Sequence, residues 1–249
     1  NYRIVIMMNI KVANSYNKEK VLEIVDSFGH SGKTFWKKRN TIKVFDIGDE
    51  KWNVKSFQVP HLINRFAYKY VRKSKARRSF EHAEILLKKG ILTPKPIAYI
   101  EYSELIGLTN SFYISKNLSY DFDFGALLNA DFADRENILN QFTEFTYQLH
   151  ENDIHHFDHS KGNTLMCRLG DDQYDFYLID LNRMKFEEMT YEKRIDNFNR
   201  LSLTDGMIEI VGKKYASLID QDTQKVIADI KKSCEKFHEF TRRKGRWKK

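Results

Sequence analysis

The sequence predicts an α+β fold with two lobes. The first part of the chain reads mostly as β-strands, whereas helical periodicity dominates from residue 120 onward. A chain of 249 residues is long enough to bury one large core or two smaller ones. We therefore expect an N-terminal lobe built on an antiparallel sheet, residues 1–117, and a mainly helical C-terminal lobe, residues 118–249.

A β-hairpin is the clearest element of the N-terminal lobe. The segments TIKVFDI and KWNVKSF, at 41–47 and 51–57, alternate in polarity around the turn Gly48-Asp49-Glu50. A helix is expected at 75–89, because Gly90 supplies a C-cap. The other predicted elements are a helix at 62–71 and strands at 95–102 and 111–118, then helices at 124–129, at 135–151 and after Tyr191, and strands at 164–169 and 175–181.

Composition predicts a cytoplasmic globular protein. Apolar residues make up 41% of the chain and charged residues 31%, as in ordinary soluble domains. The apolar run at 4–8 is far shorter than the roughly 20 residues of a membrane span, and no signal-peptide cleavage site is recognisable. The two cysteines, Cys167 and Cys234, form neither a disulfide framework nor a metal-binding pattern, which favours a reducing compartment.

Positive charge is concentrated in two segments of a chain whose net charge is +8. Residues 231–249 hold nine Lys or Arg against two Glu, and residues 61–78 hold seven and no acidic residue. Such segments indicate a polyanionic partner: nucleic acid, anionic lipid or a phosphorylated glycolipid. The alternative is that both are simply solvated surface.

One phosphate-binding pattern is misleading. SFGHSGKT, residues 27–34, resembles the P-loop motif G-x-x-x-x-G-K-[ST], but Ser27 replaces its first glycine. A P-loop follows a strand and opens a helix, whereas here a helical pattern precedes the segment and a strand pattern follows it. We therefore do not expect a P-loop.

The segment HHFDHSKGN, residues 155–163, admits two interpretations. A metal site would need histidines at i and i+4 on a helix, or ligands from a second segment, and the sequence offers neither. His156, Asp158 and Asn163 instead fit H-x-D-x-x-x-x-N, the catalytic-loop pattern of the protein kinase-like fold. In phosphoryl transfer, the aspartate orients the acceptor hydroxyl and the asparagine amide binds Mg²⁺.

A second metal ligand is predicted downstream. The apolar strand in DFYLIDLNRMKF reaches Asp180, 17 residues after Asn163, where a kinase-like fold places its metal-binding aspartate. The alternative is an aspartate that merely ends a strand. No proline follows Pro96, which excludes an alanine-proline-glutamate motif, and only about ten residues separate Asp180 from the next helix. A protein substrate is therefore disfavoured.

Lys55 is the candidate phosphate contact in the N-terminal lobe. It follows a hairpin on a strand with apolar neighbours, although it could also point outward. Glu81 and Glu84 are both candidates for its partner, and Glu81 is preferred. A glycine-rich G-x-G-x-x-G loop is absent; the turn KKRN, residues 37–40, offers backbone amides and cations instead.

Three segments together resemble the bacterial lipopolysaccharide kinase family, which includes Kdo kinases and heptose kinases. They are SKARRSFEHAEILLKKGILTPKPIAYIE at 74–101, HFDHSKGNTLM at 156–166 and YLIDLNRMKF at 177–186, and the resemblance is greatest to Bacteroidetes members and covers about 43–200. It implies a protein kinase-like bilobal fold, Mg²⁺ and ATP as cofactors, and a sugar hydroxyl of the lipid A–core glycolipid as acceptor.

The same resemblance implies residue roles. Asp158 would be the catalytic base, Asn163 and Asp180 the metal ligands, and Lys55 the phosphate contact with Glu81 beside it. His156 would be structural. The Leu181-Asn182-Arg183 sequence that follows the metal aspartate departs from the family pattern, so conformational switching there is not expected.

The resemblance also bears on partners. A basic helix at 62–71 and the tail TRRKGRWKK would dock on an anionic membrane surface, at the inner face of the inner membrane, and no nucleic-acid partner is expected. Two alternatives stay open. The chain could be a catalytically degenerate kinase fold that binds a partner, or a kinase of a protein or another small molecule.

Overall fold

The structure, a computed structural model, describes residues 6–57, 72–105, 107–170 and 172–246. The chain divides into two compact units, Asn1–Leu118 and Ser119–Lys249. The predicted helix at 62–71 lies outside the described residues. No helix in the described part of the chain is both long and apolar enough to cross a bilayer.

The first unit is built on a six-stranded antiparallel sheet. The strand order is β1-β5-β6-β4-β3-β2. The strands are β1 (Met7–Val12), β2 (Lys33–Lys37), β3 (Thr41–Ile47), β4 (Glu50–Phe57), β5 (Pro96–Glu104) and β6 (Gly107–Lys116). The predicted hairpin is confirmed as β3 and β4, paired from Thr41 with Ser56 to Ile47 with Glu50.

Among the described residues, the helices α1 (Lys18–Ser27) and α2 (Lys75–Lys88) pack on this sheet. Successive residues of a strand face opposite sides, so β4 contributes to two cores. Trp52 and Val54 pack with α1, whereas Phe57 packs with Phe80 of α2. Gly90 has a φ of 76°, a left-handed conformation that suits its predicted position after the end of α2.

The second unit is mainly helical. Its helices are α3 (Arg135–Glu151), α4 (Tyr191–Asp196), α5 (Asp205–Leu218) and α6 (Thr223–Arg246), with 3₁₀ turns at Phe124–Leu128 and Leu181–Arg183. Its strands form two small sheets: β7 (Phe122–Asp123), β9 (Thr164–Gly170) and β10 (Gln173–Leu178), and separately β8 (Ile154–His156) with β11 (Met184–Phe186).

Aromatic side chains fill the core of this unit. The fully buried Phe124 packs against Phe142 of α3, and Phe198 packs against Tyr215 of α5. Helices α5 and α6 approach closely at Gly212, where a Cβ would lie 2.6 Å from Ile227. The core thereby fixes the elements that flank the loop between β8 and β9.

Several boundaries differ from the sequence-based expectations. The helix predicted at 124–129 is a 3₁₀ turn, and the strand predicted at 175–181 ends at Leu178. Part of the predicted basic tail continues α6 to Arg246. The P-loop-like segment joins a helix to a strand, α1 to β2, which confirms that it is not a P-loop.

Candidate active site

His156 fixes the loop between β8 and β9 from inside. Its ring is fully buried. Nδ1 accepts a hydrogen bond of 3.0 Å from the backbone N–H of Asp158, so the proton sits on Nε2, which lies 3.3 Å from the carbonyl oxygen of Ile179. Burial lowers the pKa of His156, consistent with this neutral form. The ring therefore connects the loop to the end of β10, as a structural residue.

Asn163 closes the same loop. Its side-chain Nδ2 donates a hydrogen bond of 2.8 Å to the carbonyl oxygen of Asp158. This bond fixes the orientation of the amide, so that Oδ1 is directed away from the backbone of Asp158. An amide oxygen is a suitable Mg²⁺ ligand.

A backbone hydrogen bond at the neighbouring Ile179 places Asp180 next to Asn163. The N–H of Ile179 donates a hydrogen bond of 3.0 Å to the carbonyl oxygen of Asn163, and Asp180 is the next residue. Asp180 adopts a left-handed conformation, with φ of 57° and ψ of 48°. One of its carboxylate oxygens accepts a hydrogen bond from Asn182. The fold thus brings together the loop and the strand end that the sequence predicted.

Asp158 is held by two arginines that sequence reasoning missed. Arg200 Nη1 lies 3.1 Å from Asp158 Oδ1, and Arg183 Nη1 lies 3.8 Å from Oδ2. Arg183 belongs to the quoted segment YLIDLNRMKF, but nothing in its spacing pointed to Asp158. Arg200 lies 42 positions along the chain, outside every motif, so no sequence signal could have found it.

A buried polar network from the helices supports the predicted catalytic loop. The side chain of Asn197 donates a hydrogen bond of 2.9 Å to the carbonyl oxygen of His156. Its Oδ1 lies 3.2 Å from Nε2 of His150, whose Nδ1 lies 2.6 Å from the hydroxyl of Tyr215. Because burial lowers the pKa of His150 to about 3, the ring is neutral, accepting from Tyr215 and donating to Asn197.

The other two histidines of the cluster, His155 and His159, have contacts away from Asp158, Asn163 and Asp180. His155 Nδ1 donates to Glu187 at 2.9 Å, a bond that lowers the pKa of this carboxylate, and its ring stacks on Phe157. His159 is buried against Phe142, and neither ring nitrogen has a hydrogen-bond partner among the described residues. In that part of the chain no three His, Cys, Asp or Glu side chains converge as a metal site.

In the first unit, Lys55 lies on the face of the sheet that carries α2. It shares this face of β4 with Phe57, whose ring centroid is 5.3 Å from Nζ, and it is paired with Tyr113 of β6. Phe57 packs with Phe80 of α2. Lys55 is half-buried, so the sequence-based alternative of an outward-pointing lysine is not favoured.

Neither candidate glutamate pairs with Lys55 in the structure. Glu81 contacts Lys73 at 2.7 Å and Arg77 at 2.9 Å, and Glu84 contacts Lys11 at 2.7 Å. Burial alone would raise the pKa of Glu81, but the hydrogen bonds from Lys73 and Arg77 lower it overall. Glu81 is thus paired with two other cations, and its pairing with Lys55 stays a prediction.

Comparisons with known proteins identify a family by sequence and a similar fold by structure. A family model described as "Lipopolysaccharide kinase (Kdo/WaaP) family" matches residues 19–228. A solved structure, "WaaP in complex with acyl carrier protein", is similar with a TM-score of 0.62 and 15% identity, covering 92% of this chain and 98% of that one. No curated protein matches the sequence. The shared fold supports the kinase-like architecture predicted from the sequence.

Proposed function

Since the chain belongs to the lipopolysaccharide kinase (Kdo/WaaP) family, we propose that it transfers the γ-phosphoryl group of ATP to a sugar hydroxyl, of Kdo or heptose, in the lipid A–core region of lipopolysaccharide. The observation that carries this proposal is the loop geometry. Asp158 and Asn163 are joined by the amide hydrogen bond, and Asp180 follows Ile179, which is bonded to Asn163.

The chemistry follows from the residues. The carboxylate of Asp158 accepts the proton of the acceptor hydroxyl as this oxygen attacks the γ-phosphorus, and the bond to the leaving oxygen of ADP breaks. His156 fixes the backbone of Asp158, and the network through Asn197 fixes the carbonyl of His156. Preorganisation of this kind is a main source of catalysis in phosphoryl transfer.

The side chains present suit Mg²⁺ and ATP as the phosphate donor. Asn163 Oδ1 and the Asp180 carboxylate are hard oxygen ligands, as Mg²⁺ requires when it is bound together with substrate phosphates. Asn163 and Asp180 would hold Mg²⁺, which would supply positive charge to the phosphates. We assign to Lys55 the contact with the α- and β-phosphates. The turn between β2 and β3 carries Lys38, which lies over the ring of Trp36, and it would supply cations in place of a glycine-rich loop.

The exposed end of α6 is the described part of the proposed membrane-docking surface. Arg242, Arg243 and Lys244 are exposed there, and Phe240 is 52% exposed. Each cation near an anionic membrane contributes roughly 1 kcal/mol to binding. We therefore place the enzyme in the cytoplasm, peripherally at the inner face of the inner membrane. Sedimentation with anionic and with neutral vesicles tests this placement; equal binding to both would contradict it.

A second partner is suggested by the structural neighbour, which was solved in complex with acyl carrier protein. The same basic end of α6 could bind an acidic protein. Mixing the purified chain with acyl carrier protein and measuring co-elution tests this partner. Loss of co-elution after Arg242, Arg243 and Lys244 are changed to Gln would assign the contact to α6.

The decisive experiment is phosphate transfer from radiolabelled ATP, with glycolipid and protein fractions separated afterwards. We expect label in lipid A–core glycolipid, with activity reduced at least 100-fold in Asp158→Asn. Asp46→Asn is the matched control, because Asp46 is an exposed aspartate of the first unit. Label in the protein fraction alone would favour a protein kinase, and no transfer to any acceptor would favour the degenerate kinase fold.

A further inference from the structure

Two guanidinium groups converge on the carboxylate of Asp158 from separate elements. Arg183 ends the 3₁₀ turn after β10, and Arg200 follows α4. Their Nη1 atoms lie 3.8 Å and 3.1 Å from opposite oxygens of Asp158. Two cations beside one carboxylate leave a net positive charge around it, and this excess would attract a further anion.

Both arginines retain donors for such an anion. A guanidinium has five N–H donors arranged to bind carboxylate or phosphate in a bidentate manner. Each arginine comes closest to Asp158 through Nη1, and Asp158 is the only ion-pair partner of either among the described residues. The side chains of Arg183 and Arg200 are 56% and 33% exposed, so a ligand can reach them.

Arg200 is also held in place by packing. Its guanidinium carbon lies 4.8 Å from the ring centroid of Phe237 on α6. A cation held over an aromatic ring loses less conformational freedom when it binds a ligand, because it is already ordered. An exposed surface arginine without such a support would be a poorer binding group.

We propose that Arg183 and Arg200 form a subsite for an anionic substituent, a carboxylate or a phosphate, of the acceptor glycolipid. This inference rests on the proposed function, since it takes Asp158 as the residue that faces the acceptor hydroxyl. The arginines contact the carboxylate of Asp158, the group that the proposed function directs at the acceptor hydroxyl, whereas Asn163 is bonded to its backbone carbonyl. The subsite therefore belongs to the acceptor rather than to ATP, and it selects a sugar whose reacting hydroxyl lies near a negative charge.

The kinetic test compares Arg183→Gln and Arg200→Gln with the wild type, using lipid A–core glycolipid as acceptor. Loss of a charge-assisted hydrogen bond should raise the KM for the acceptor about tenfold or more and leave the KM for ATP unchanged. Lys185→Gln is the control, because Lys185 is an exposed cation on neighbouring β11 that pairs with Glu187. Arg200→Lys, which keeps the charge near Phe237, guards against misfolding of the Gln variant.

Three outcomes would overturn the proposal. The acceptor KM could be unchanged in both Gln variants, it could rise equally in Lys185→Gln, or the KM for ATP could rise instead, which would assign the arginines to the donor. Absence of transfer by the wild type would contradict the proposed function, and the subsite is then judged by binding alone.

A binding test works without catalysis. NMR follows the arginine Nε–H signals of the whole chain, and the two Gln variants assign the signals of Arg183 and Arg200. The chain is titrated with the free sugar acid Kdo and, separately, with its neutral methyl ester. We expect the Arg183 and Arg200 signals to shift with the acid and not with the ester. Inorganic phosphate serves as the second anion and separates the two anion classes. If neither anion moves these signals, the subsite does not exist.

Discussion

The side-chain amide of Asn163 donates a hydrogen bond of 2.8 Å to the backbone carbonyl of Asp158. This contact joins the proposed base to a proposed metal ligand within one loop, and it orients Oδ1 of Asn163 for the metal. Since Ile179 is bonded to the carbonyl of Asn163, the position of Asp180 is coupled to the same loop. The consequences can be measured.

Mg²⁺·ATP should stabilise the wild-type chain. Ligand at about 100 times its dissociation constant raises the free energy of unfolding by roughly 2.7 kcal/mol. We expect an increase in Tm that requires Mg²⁺ and that is absent in Asp180→Asn, because the hard carboxylate ligand is lost. Thermal unfolding by circular dichroism measures it. An equal shift in Asp180→Asn would remove Asp180 from the metal site.

Lys55→Met should weaken nucleotide binding about tenfold or more, because a charged contact with the phosphates is lost. Glu81→Gln and Glu84→Gln separate the two candidate partners of this lysine. Glu81 already pairs with Lys73 and Arg77, and Glu84 with Lys11. If one of these Gln variants raises the dissociation constant for ATP as Lys55→Met does, its glutamate becomes the partner of Lys55 when nucleotide binds. Calorimetric titration with ATP measures these constants. An affinity of Lys55→Met equal to that of the wild type would refute the role of Lys55.

The two buried histidines beside Asp158 should respond oppositely to removal. His156→Leu leaves the N–H of Asp158 and the carbonyl of Ile179 without partners, and we expect a loss of about 3 kcal/mol in the free energy of unfolding. His159→Leu removes ring nitrogens that have no hydrogen-bond partner among the described residues, so stability should be unchanged or about 1 kcal/mol higher.

Urea denaturation of both variants provides the comparison. A loss of stability in His159→Leu as large as that in His156→Leu would mean that His159 has a polar partner. Phosphate transfer should fall with His156→Leu, because the backbone of Asp158 is no longer fixed.

Stability should decline below pH 6.5. Burial lowers the pKa of His150 to about 3 and also lowers the pKa values of His156 and His159. The unfolded chain therefore binds more protons than the folded chain once the pH falls below about 6.5. The contribution is fully present above this value and is lost as the pH falls toward the folded-state pKa values, at up to about 1.4 kcal/mol per pH unit for each histidine.

Urea unfolding at pH 7.5, 6.5 and 5.5 measures this slope, in a range where most carboxylates stay ionised. His159→Leu should reduce the slope by the contribution of one histidine. His30→Asn is the control and should leave it unchanged, because His30 is exposed. A stability that is flat from pH 7.5 to 5.5 would contradict neutral buried histidines.

The sequence by itself determined many of the helices and strands and singled out the proposed catalytic loop. Strand alternation located β3 and β4, and helical periodicity located α3 over the range observed, since both patterns are written in neighbouring residues. The spacing of His156, Asp158 and Asn163 predicted the loop, whereas the hydrogen bond from Asn163 to the carbonyl of Asp158 is seen only in the structure. Asp180 was found in the same way, from the end of an apolar strand.

Only the tertiary structure decided which distant side chains meet. Arg200 reaches Asp158 from 42 positions away, and Glu81 pairs with Lys73 and Arg77 instead of Lys55. His156 and His159 belong to one short segment, yet, among the described residues, only His156 has hydrogen-bond partners for its ring. Ion pairs and burial depend on how the helices and sheets pack, and no local pattern of residue types specifies that packing.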